Sequence, residues 1–493
     1  MFKTETDLYC CEQIRYCEQQ AVDQYDMDEC RLMSQAGMEA FFFIKGRFSK
    51  IQTIAVFCGK GNNAGDGYAF ARLAHEQGLS VIVYQCCTLD DLSFEARDAA
   101  TKAMAAGVEC QSADEPLDSE VELIIDALLG IGIQGPVHGQ IALAISQINS
   151  SGLPVVSLDL PSGLQADTGQ VENICVRANI TLTFIALKPG LFTLDGPDYC
   201  GEVIYRSLQM DHCIANLKPY AHILTYDCLP LSALTRKKNS HKGLFGHVLV
   251  IGGGHGMPGA VGLTAKAALR AGAGCVTIAT LPSHVSAISP YLPEAMIFGI
   301  KTVEDLQPLL ARASICVIGP GLGESEWATA LFLAAISSQL PMVIDACALS
   351  LLQKHAQMDD NWILTPHPGE AATLLSCSVD AIQSNRYQTA AAIQSQYGGV
   401  VVLKGAGSLI HTPEKATFVC IKGNPGLSSA GMGDALSGII AGLCAQGLSL
   451  SEGAKLGVWI HACAGDAMAR AKGEIGLTAS DLIEHIPVIL NGR

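Results

Sequence analysis

Short continuous runs of apolar residues alternate with segments of helical periodicity along most of the chain. Runs of this kind are typical of strands that are buried on both faces of a parallel sheet. The first half contains such runs at 52–58, 80–84, 122–128, 154–160 and 180–186. The second half contains them at 247–253, 275–280, 314–319, 341–346, 361–365 and 400–405, and the strand-like segments SLIHT and ATFVC follow. This alternation predicts an α/β protein.

Helical patterns lie between the runs, as in DGYAFARLAHEQG at 66–78, whose last glycine suits the position just after a helix. Two further helices are predicted at 430–446 and 452–472. The rhythm breaks between 214 and 240, where prolines and a basic cluster occur. We therefore predict two doubly wound, three-layer α/β domains, with boundaries at 1–220 and 241–493 and a linker at 221–240.

The net charge, the apolar runs and the cysteine content bear on the partners and the cellular compartment of the protein. A formal net charge of −16 argues against a nucleic-acid partner, because phosphate neutralisation needs a basic face. No apolar run approaches the roughly 20 residues that span a bilayer, and the first twenty residues lack the apolar core of a secretory signal. We therefore expect a cytoplasmic protein without a membrane partner. The 19 cysteines are odd in number and scattered, which favours reduced thiols over disulfides.

The first candidate site is the segment GKGNNAGDG, which follows the first apolar run. Glycines at a strand-to-helix turn let the backbone approach a ligand, and the following helix points its N-terminus at it. The segment lacks the glycine order of a dinucleotide fingerprint and the Gly-Lys-Ser/Thr of a P-loop. It therefore predicts either a phosphate cradle or a plain tight loop. The polar residues Asn62, Asn63 and Asp66 favour the cradle, because a plain turn would need only one of them.

Two later strand ends are also polar. Asp126 and Asp159 each end an apolar run, and Ser162 follows the second. Because the carboxyl ends of parallel strands meet at one edge of a sheet, these residues can converge with Asn63. Their oxygens could hold a weakly bound monovalent or divalent cation. The alternative is that Asp126 and Ser162 only cap their loops.

The motifs NNAGDG, DALLGIGIQGP and LDLPSG, in this order, resemble those of the NAD(P)H-hydrate epimerases, the YjeF N-terminal domain, over about residues 10–215. The resemblance implies a Rossmann-like fold and a potassium ion held by Asn63, Asp126 and Ser162. The family often has glycine where this chain has Ala64, and we expect that this position does not need a positive φ. The resemblance implies substrate contacts from Asn62, Asn63, Ala64, Gly65, Asp66, Gly130, Ile131, Gly132, Ile133, Gln134, Gly135, Pro136 and Asp159.

Epimerisation of a hydrated nicotinamide needs a group that handles protons at the hydrated ring carbon. Asp159, beside the predicted cation site, is the first candidate for this acid/base role. Lys188 is a second candidate, but we favour its interpretation as a surface lysine ahead of a turn proline.

The second candidate site is NPGLSSAGMGDALSG at 424–438. Helical spacing after Asp434 places Gly431 and Gly433 in the first turn of a helix or just ahead of it. There they would present unpaired N–H groups to an oxyanion, in a region of partial positive charge. Asp434 would then lie beside the group being phosphorylated. The alternative is a tight packing contact at a glycine-rich helix start.

This stretch resembles the GxGD anion hole of ribokinase-like kinases. Together with the segments at 246–260, 319–323, 365–375 and 401–410 it resembles the ADP/ATP-dependent NAD(P)H-hydrate dehydratases, over about residues 235–490. The resemblance implies a ribokinase-like C-terminal domain. It implies substrate contacts from Ala260, Gly321, His367 and Asp434, and ADP or AMP contacts from Lys404, Gly405, Ala406, Gly407, Ser408 and Gly433. Pro368 is expected at the first position of a helix, with His367 facing the site.

The two resemblances together imply a bifunctional metabolite repair enzyme. One half would interconvert the R and S hydrates of NADH and NADPH. The other would phosphorylate the S hydrate from ADP and release phosphate, leaving AMP, with Asp434 taking the hydroxyl proton and Mg²⁺ on the phosphates. A vitamin-precursor kinase with an appended N-terminal binding module is the alternative, and ADP or ATP, and NADHX or NADPHX, stay open as preferences. We also expect a homo-oligomer, a tetramer or larger.

Overall fold

The structure is a computed structural model that describes residues 6–25 and 28–492. The chain divides into two compact units between residues 222 and 223. Most of the predicted linker therefore falls in the second unit, where Tyr226–Cys228 and Leu231–Leu234 form single turns of 3₁₀-helix. None of the described helices is long and apolar enough to cross a membrane. All 19 cysteines are free thiols, as predicted.

The first unit alternates strands and helices. Its strands are β1 (Asp7–Leu8), β2 (Thr53–Cys58), β3 (Ser80–Gln85), β4 (Glu109–Ser112), β5 (Leu123–Ala127), β6 (Val155–Leu158), β7 (Ile180–Phe184), β8 (Glu202–Arg206) and β9 (Ala221–Ile223), the last of which ends just beyond the unit. Its helices are α1 (Cys11–Tyr25), α2 (Glu29–Arg47), α3 (Asn62–Glu76), α4 (Phe94–Ala105), α5 (Gly139–Ser150), α6 (Gly196–Tyr199) and α7 (Asp211–Ile214).

The main sheet of this unit is parallel and doubly wound, with strand order β4-β3-β2-β5-β6-β7-β8. Successive residues of β2 point into different cores: Ile54 and Val56 pack on one face, whereas Ala55 and Phe57 pack on the other. Helices therefore cover both faces, and the five predicted strands are confirmed. The order reverses between β2 and β5, and this switch point is where α/β sheets bind ligands.

The helix predicted at 66–78 begins four residues earlier than the pattern indicated. It starts at Asn62, and Gly61 is its N-cap. The prediction placed NNAG in a loop because glycine and asparagine are poor helix formers. Gly65 lies in close contact with α2, since a Cβ there would lie 2.2 Å from the Met33 sulfur and the methionine side chain would have to move. At the other end Gly78 has φ +89° and donates its N–H to the His75 carbonyl, as predicted.

The second unit repeats the alternation. Its strands are β10 (His247–Ile251), β11 (Cys275–Thr280), β12 (Met296–Gly299), β13 (Ile315–Ile318), β14 (Met342–Ile344), β15 (Trp362–Leu364), β16 (Val400–Leu403), β17 (Ser408–His411) and β18 (Thr417–Cys420). Its helices are α8 (Pro258–Arg270), α9 (Val285–Ile288), α10 (Val303–Leu310), α11 (Glu326–Ile336), α12 (Cys347–His355), α13 (Pro368–Leu375), α14 (Val379–Ser384), α15 (Arg386–Tyr397), α16 (Met432–Ala445), α17 (Leu450–Lys472) and α18 (Ala479–Leu490).

Within this unit the sheet order is β18-β17-β16-β15-β14-β13-β10-β11-β12. The pairs from β12 to β16 are parallel, and β17 and β18 add antiparallel strands at one side. The order reverses between β10 and β13. All the predicted strands and the two predicted helices are present, so the carboxyl ends of β10, β13, β14, β15 and β16 meet at one edge.

Helix α16 packs unusually closely against α8, and its glycines make this possible. A Cβ at Gly438 would lie 2.1 Å from the Thr264 carbonyl oxygen, and one at Gly442 would lie 2.6 Å from the Ala268 carbonyl oxygen. Gly431, by contrast, is the N-cap of α16 and has φ +86°. The glycines of this stretch therefore serve two purposes, a left-handed start and a close helix contact.

Candidate active sites

A cavity of about 430 Å³ lies at the switch point of the first unit. Segments that follow β2 and β5 form one part of its wall, and α1 and α2 form another. Its polar lining comprises Arg15, Glu18, Glu29, Lys60, Asn62, Asn63, Asp66, Asp159 and Lys188. The sequence predicted the strand-end residues of this set but not those of α1 and α2.

The start of α3 contributes only part of the predicted NNAGD contact. Asn62, Asn63 and Asp66 line the cavity, whereas Ala64 and Gly65 lie on the buried side of the helix and are absent from its described lining. Ala64 does not have a positive φ, as expected. The first turn of α3 therefore lies beside the cavity, as a phosphate cradle at a helix N-terminus requires.

The loop after β5 is also divided. Gly130, Ile131, Gly132 and Ile133 line the cavity. Gln134, Gly135 and Pro136 are not among the described residues that line it. Of the predicted substrate-contact segment 130–136, only the first four residues therefore line the cavity.

Asn63, Asp126 and Ser162 converge beneath this cavity. Asp126 is fully buried and accepts hydrogen bonds from the Ser157 hydroxyl (2.7 Å) and from the Ser162 hydroxyl (2.5 Å) and N–H (2.9 Å). Asn63 donates Nδ2 to the Leu129 carbonyl at 2.8 Å, and its buried Oδ1 lacks any partner among the described residues. Burial raises the pKa of Asp126, and its hydrogen bonds oppose that rise. A buried oxygen without a donor beside a buried carboxyl group fits a small cation.

Asp159 and Lys188 form a buried ion pair at the cavity. The Lys188 ammonium donates to Asp159 Oδ1, to Thr183 Oγ1 at 2.9 Å and to the Phe184 carbonyl at 2.7 Å. Its side chain is only 1% exposed. The interpretation of Lys188 as a surface lysine is therefore wrong, because the chain folds back after β7 and buries it against Asp159.

The backbone at Asp159 is itself unusual. Its φ is +65°, a left-handed conformation that costs a non-glycine residue about 1–2 kcal/mol. Its N–H donates to the Leu182 carbonyl at 2.8 Å, and the Phe184 N–H donates to its carboxylate at 3.1 Å. These bonds to β7 hold the carboxylate in the cavity.

Glu18 and Asp66 line the same cavity and have perturbed acidity. Burial raises the pKa of Glu18 to about 7, with a further contribution from the negative charge of Asp159. Burial, then Asp159 and Glu18, raise the pKa of Asp66 well above its usual range. Sequence reasoning missed Glu18, which looks like an ordinary polar residue of an amphipathic helix.

In the second unit, the start of α16 has the predicted geometry. Gly431 is the N-cap, and Gly433 and Asp434 lie in the first turn. Burial, together with the charges of Asp345 and Glu370 and against the opposing charge of Lys404, raises the pKa of Asp434 to about 6. A half-buried carboxyl group beside unpaired helix N–H groups suits proton transfer near an anion.

A buried charge network lies beside this helix start. Lys404 Nζ donates to Asp345 Oδ1 at 3.0 Å and lies 3.5 Å from Glu370 Oε2. The Ser437 hydroxyl donates to the other oxygen of Asp345 at 2.7 Å. A Cβ built on Gly433 would lie 3.4 Å from Lys404 Nζ, so the ammonium touches the anion-binding turn. Sequence reasoning missed Asp345 and Glu370.

The loop 404–408 after β16 rests on a buried arginine. Arg386 donates Nη2 to the carbonyl oxygens of Leu403 (3.4 Å), Lys404 (3.3 Å) and Gly407 (3.4 Å). Gly405 has φ +142°, and a Cβ there would lie 2.6 Å from Arg386 Nη1. Burial lowers the pKa of Arg386 to about 10, which leaves it charged at neutral pH. Ala406 and Ser408 complete the predicted nucleotide loop, and the Ser408 hydroxyl donates to the Gly405 carbonyl at 3.0 Å.

The remaining predicted substrate-contact residues of the second unit lie at two separate positions. A Cβ on Gly321, which has φ +57°, would lie 3.0 Å from the Ala260 Cβ, so these two residues are neighbours. His367 is the N-cap of α13, with Pro368 at the first helical position as predicted. Its Nδ1 accepts from the N–H groups of Gly369 (3.0 Å) and Glu370 (3.3 Å). These bonds assign the proton of the neutral ring to Nε2, which lies 3.5 Å from Glu370 Oε1.

The comparisons with known proteins agree with this geometry in both units. A family model described as NAD(P)H-hydrate dehydratase matches residues 248–488, and one described as YjeF-related protein N-terminus matches residues 29–190. A bifunctional NAD(P)H-hydrate repair enzyme from Coxiella burnetii is 45% identical over 99% of this chain and 100% of its own length. The chain belongs to the bifunctional NAD(P)H-hydrate repair enzymes. The alternative of a vitamin-precursor kinase is not favoured by these matches.

Solved structures resemble the second unit of this repair enzyme. A protein of unassigned function from Streptococcus mutans is 28% identical, with a TM-score of 0.51, over 55% of this chain and 99% of that one. A ribokinase-like superfamily protein from Enterococcus faecalis is 27% identical, with a TM-score of 0.48, over 54% of this chain and 95% of that one. The predicted fold class is confirmed.

Proposed function

We propose that the first unit interconverts the R and S hydrates of NADH and NADPH, and that the second dehydrates the S form at the expense of ADP, giving AMP and phosphate. The epimerase domain then corresponds to 1–220 and the dehydratase domain to 241–493. The observation that carries the second activity is the first turn of α16, where Asp434 lies beside Gly431, Gly433 and the Lys404 ammonium.

Dehydration is coupled to phosphoryl transfer because phosphate is a better leaving group than hydroxide. The hydroxyl oxygen of the hydrate attacks the terminal phosphorus of ADP, and Asp434 takes the proton of that hydroxyl. The N–H groups of the first turn, together with Lys404, stabilise the charge on the transferred group. Asp345 holds the ammonium in place from the buried side. Phosphate then leaves the ring carbon as the ring nitrogen supplies electrons, the neighbouring ring carbon loses a proton to solvent, and the double bond of the dihydronicotinamide is restored.

Both molecules bind along the sheet edge that is formed by the carboxyl ends of β10 and β13–β16. Loop 404–408, with Gly433, holds the adenine nucleotide, and Arg386 fixes the loop's shape from below. His367, Ala260 and Gly321 contact the hydrated nicotinamide nucleotide.

Mg²⁺ would supply charge neutralisation on the phosphates of ADP. No cluster of three or more His, Cys, Asp or Glu that could hold a metal occurs among residues 6–25 and 28–492. Mg²⁺ does not need such a cluster, since it is bound by one or two carboxylates together with substrate phosphates and water. Glu370, whose charge acts on Asp434, fits that demand.

In the epimerase domain, Asp159 faces the hydrated ring. The carboxylate stabilises the positive charge that develops on the ring when the hydroxyl departs, and it takes a proton from the water that returns. Lys188, Thr183 and the Phe184 N–H stabilise the ionised form of Asp159. The first turn of α3 holds a phosphate of the nucleotide.

The residues beneath this cavity fit a potassium ion. Asn63 would offer the buried Oδ1 that has no protein donor, Ser162 its hydroxyl oxygen and Asp126 its charge. An ion there would orient the loop 129–133 that lines the cavity, since Asn63 and Ser162 both bond to the backbone of Leu129.

The dehydratase proposal is tested with ADP, Mg²⁺ and the S hydrate of NADPH. We expect the absorbance at 340 nm to return, with one AMP and one phosphate formed per NADPH. The same assay with ATP reports donor preference, and NADHX in place of NADPHX reports substrate preference. Phosphorylated product that accumulates without NADPH would contradict the proposal and restore the kinase alternative.

The epimerase proposal is tested on the isolated R hydrate, separated from the S form by chromatography. We expect Asp159→Asn to abolish conversion while the dehydratase activity of the same chain persists. Asp198→Asn, an exposed change in the same unit, is the matched control. Unchanged conversion by Asp159→Asn would mean that the first unit acts as a binding module.

A homo-oligomer, a tetramer or larger, remains part of the proposal. Light scattering of the full chain at assay concentration measures the mass directly. A mass near the 51.8 kDa of one chain would contradict it.

A further inference from the structure

The epimerase cavity contains more ionisable groups than one acid/base residue requires. Glu18, Asp66 and Asp159 are carboxyl groups that line it, and Lys188 is the ammonium that pairs with the last of them. Glu18 is contributed by α1, which lies outside the matched residues 29–190. The chemistry of α1 is therefore unassigned by the comparisons.

Epimerisation through loss and return of water needs two proton-handling groups. One must protonate the departing hydroxyl, and the other must deprotonate the water that adds to the opposite face of the ring. In the forward direction Asp159 is suited to accept the proton of the incoming water, because Lys188, Thr183 Oγ1 and the Phe184 N–H all donate to its Oδ1. A separate acid is required in the same cavity.

Glu18 has the opposite surroundings. No hydrogen bond to its carboxyl group is found within residues 6–25 and 28–492, so no protein donor stabilises its charge. The negative charges of Asp159 and Glu29 disfavour ionisation of Glu18, and the positive charges of Lys188 and Arg15 favour it. Burial and Asp159 have the larger effect, so the pKa of Glu18 is raised. Two carboxyl groups held in different ionisation states within one site are a recurring arrangement for acid and base.

Asp66 lies in the second turn of α3, and burial raises its pKa well above its usual range. Its protonated form can donate a hydrogen bond to a substrate oxygen. Glu18, with a pKa of about 7, is matched to the working pH.

We propose that Glu18 is the general acid of epimerisation and that it works together with Asp159 as a two-carboxyl pair. This rests on the proposed epimerase function. The Glu18 proton passes to the hydroxyl oxygen, the ring nitrogen lone pair expels water as the carbon–oxygen bond breaks, and a cationic ring remains beside the Asp159 carboxylate. Water then adds to the other face, a new carbon–oxygen bond forms, and Asp159 takes the surplus proton. Exchange with solvent returns the proton to Glu18, and in the reverse direction the two residues exchange roles.

The deciding experiment is Glu18→Gln in the full chain, assayed on the R hydrate. We expect the epimerase kcat to fall by roughly 10²–10⁴-fold, with little change in KM, while dehydration of the S hydrate is unchanged. Glu12→Gln, an exposed change on the same helix, is the matched control and keeps the wild-type rate. Glu18→Asp keeps the carboxyl group and recovers part of the rate.

Two measurements on the wild-type enzyme keep the proposal testable if Glu18→Gln fails to fold. The epimerase rate should fall as pH rises through about 7, where Glu18 loses its proton, and Glu18→Asp should move that limb to lower pH. Epimerisation in water enriched in ¹⁸O should place ¹⁸O in the product hydroxyl. A full rate with Glu18→Gln, a pH profile without the upper limb, or retention of the original oxygen would overturn the proposal. If Asp159→Asn is also fully active, the proposed epimerase site fails as a whole, whereas failure confined to the Glu18 tests leaves that site intact.

Discussion

The acidity of Asp434 should set the low-pH limb of the dehydratase reaction. Burial, and then the negative charge of Asp345, raise its pKa to about 6, and the Lys404 ammonium limits the rise. Asp434 must be ionised to take the hydroxyl proton. The dehydratase rate is therefore measured between pH 8 and pH 5 for the wild-type chain and for Asp434→Asn.

The magnitude follows from the titration of one group. With a pKa of about 6, roughly 90% of Asp434 is ionised at pH 7 and roughly 9% at pH 5, so kcat should fall about tenfold between these values. The kcat of Asp434→Asn at pH 7 should be roughly 10²–10⁴-fold lower than that of the wild-type chain. Because asparagine does not titrate, the residual rate of the variant should not follow the wild-type limb.

The assay is the recovery of absorbance at 340 nm with saturating ADP, Mg²⁺ and the S hydrate of NADPH. Asp380→Asn, an exposed carboxylate on α14 of the same unit, is the control and should reproduce the wild-type profile. Epimerase activity of Asp434→Asn reports that the first unit is intact. A wild-type rate that stays constant from pH 7 to pH 5, or an Asp434→Asn variant with full activity, would refute the assignment of Asp434 as the base.

Three further changes test the neighbouring groups. Lys404→Met should lower the dehydratase rate and move the low-pH limb of that rate above pH 6, because the ammonium no longer opposes the rise in the pKa of Asp434. An unmoved limb would mean that Lys404 does not influence the titration of Asp434. Arg386→Met should raise the KM for ADP about tenfold, by loss of about 1.5 kcal/mol of bonds to the loop carbonyls, while the KM for the hydrate, measured beside it, should not change. Asn63→Leu should remove the response of the epimerase rate to KCl titrated against NaCl at constant ionic strength, and an unchanged response would place any potassium effect elsewhere.

The central strands were predictable because both of their faces are covered. Continuous apolar runs then mark each strand, and all the runs at 52–58, 154–160, 247–253 and 400–405, among others, contain one. The missed strands lie at the sides of the sheets, such as β4 with sequence ECQS and β8 with sequence EVIYR. An edge strand contacts solvent, so its composition resembles that of a loop.

The candidate sites were predictable only where function requires unusual residues at strand ends. Asn63, Asp126 and the glycines around Asp434 stood out because an ordinary turn or helix start does not need them. Glu18 and Arg386 could not be found in this way, because each is a common residue on a helix and acquires its surroundings only from tertiary packing. The interpretation of Lys188 failed for the same reason, since burial of a lysine depends on the partner that the fold supplies.

The two domains use one electrostatic arrangement for two reactions of the same hydrated ring. In each, a lysine at a strand end pairs with a buried carboxylate: Lys188 with Asp159 and Lys404 with Asp345. The second carboxyl group of each site lacks such a partner and has a raised pKa, about 7 for Glu18 and about 6 for Asp434. The difference in role follows from what lies beside that second group. Asp434 adjoins the N–H groups of a helix start, where a phosphoryl group can be held. Glu18 lines the epimerase cavity together with the paired carboxylate, and the step proposed there needs only proton exchange with the hydroxyl of the ring and with water.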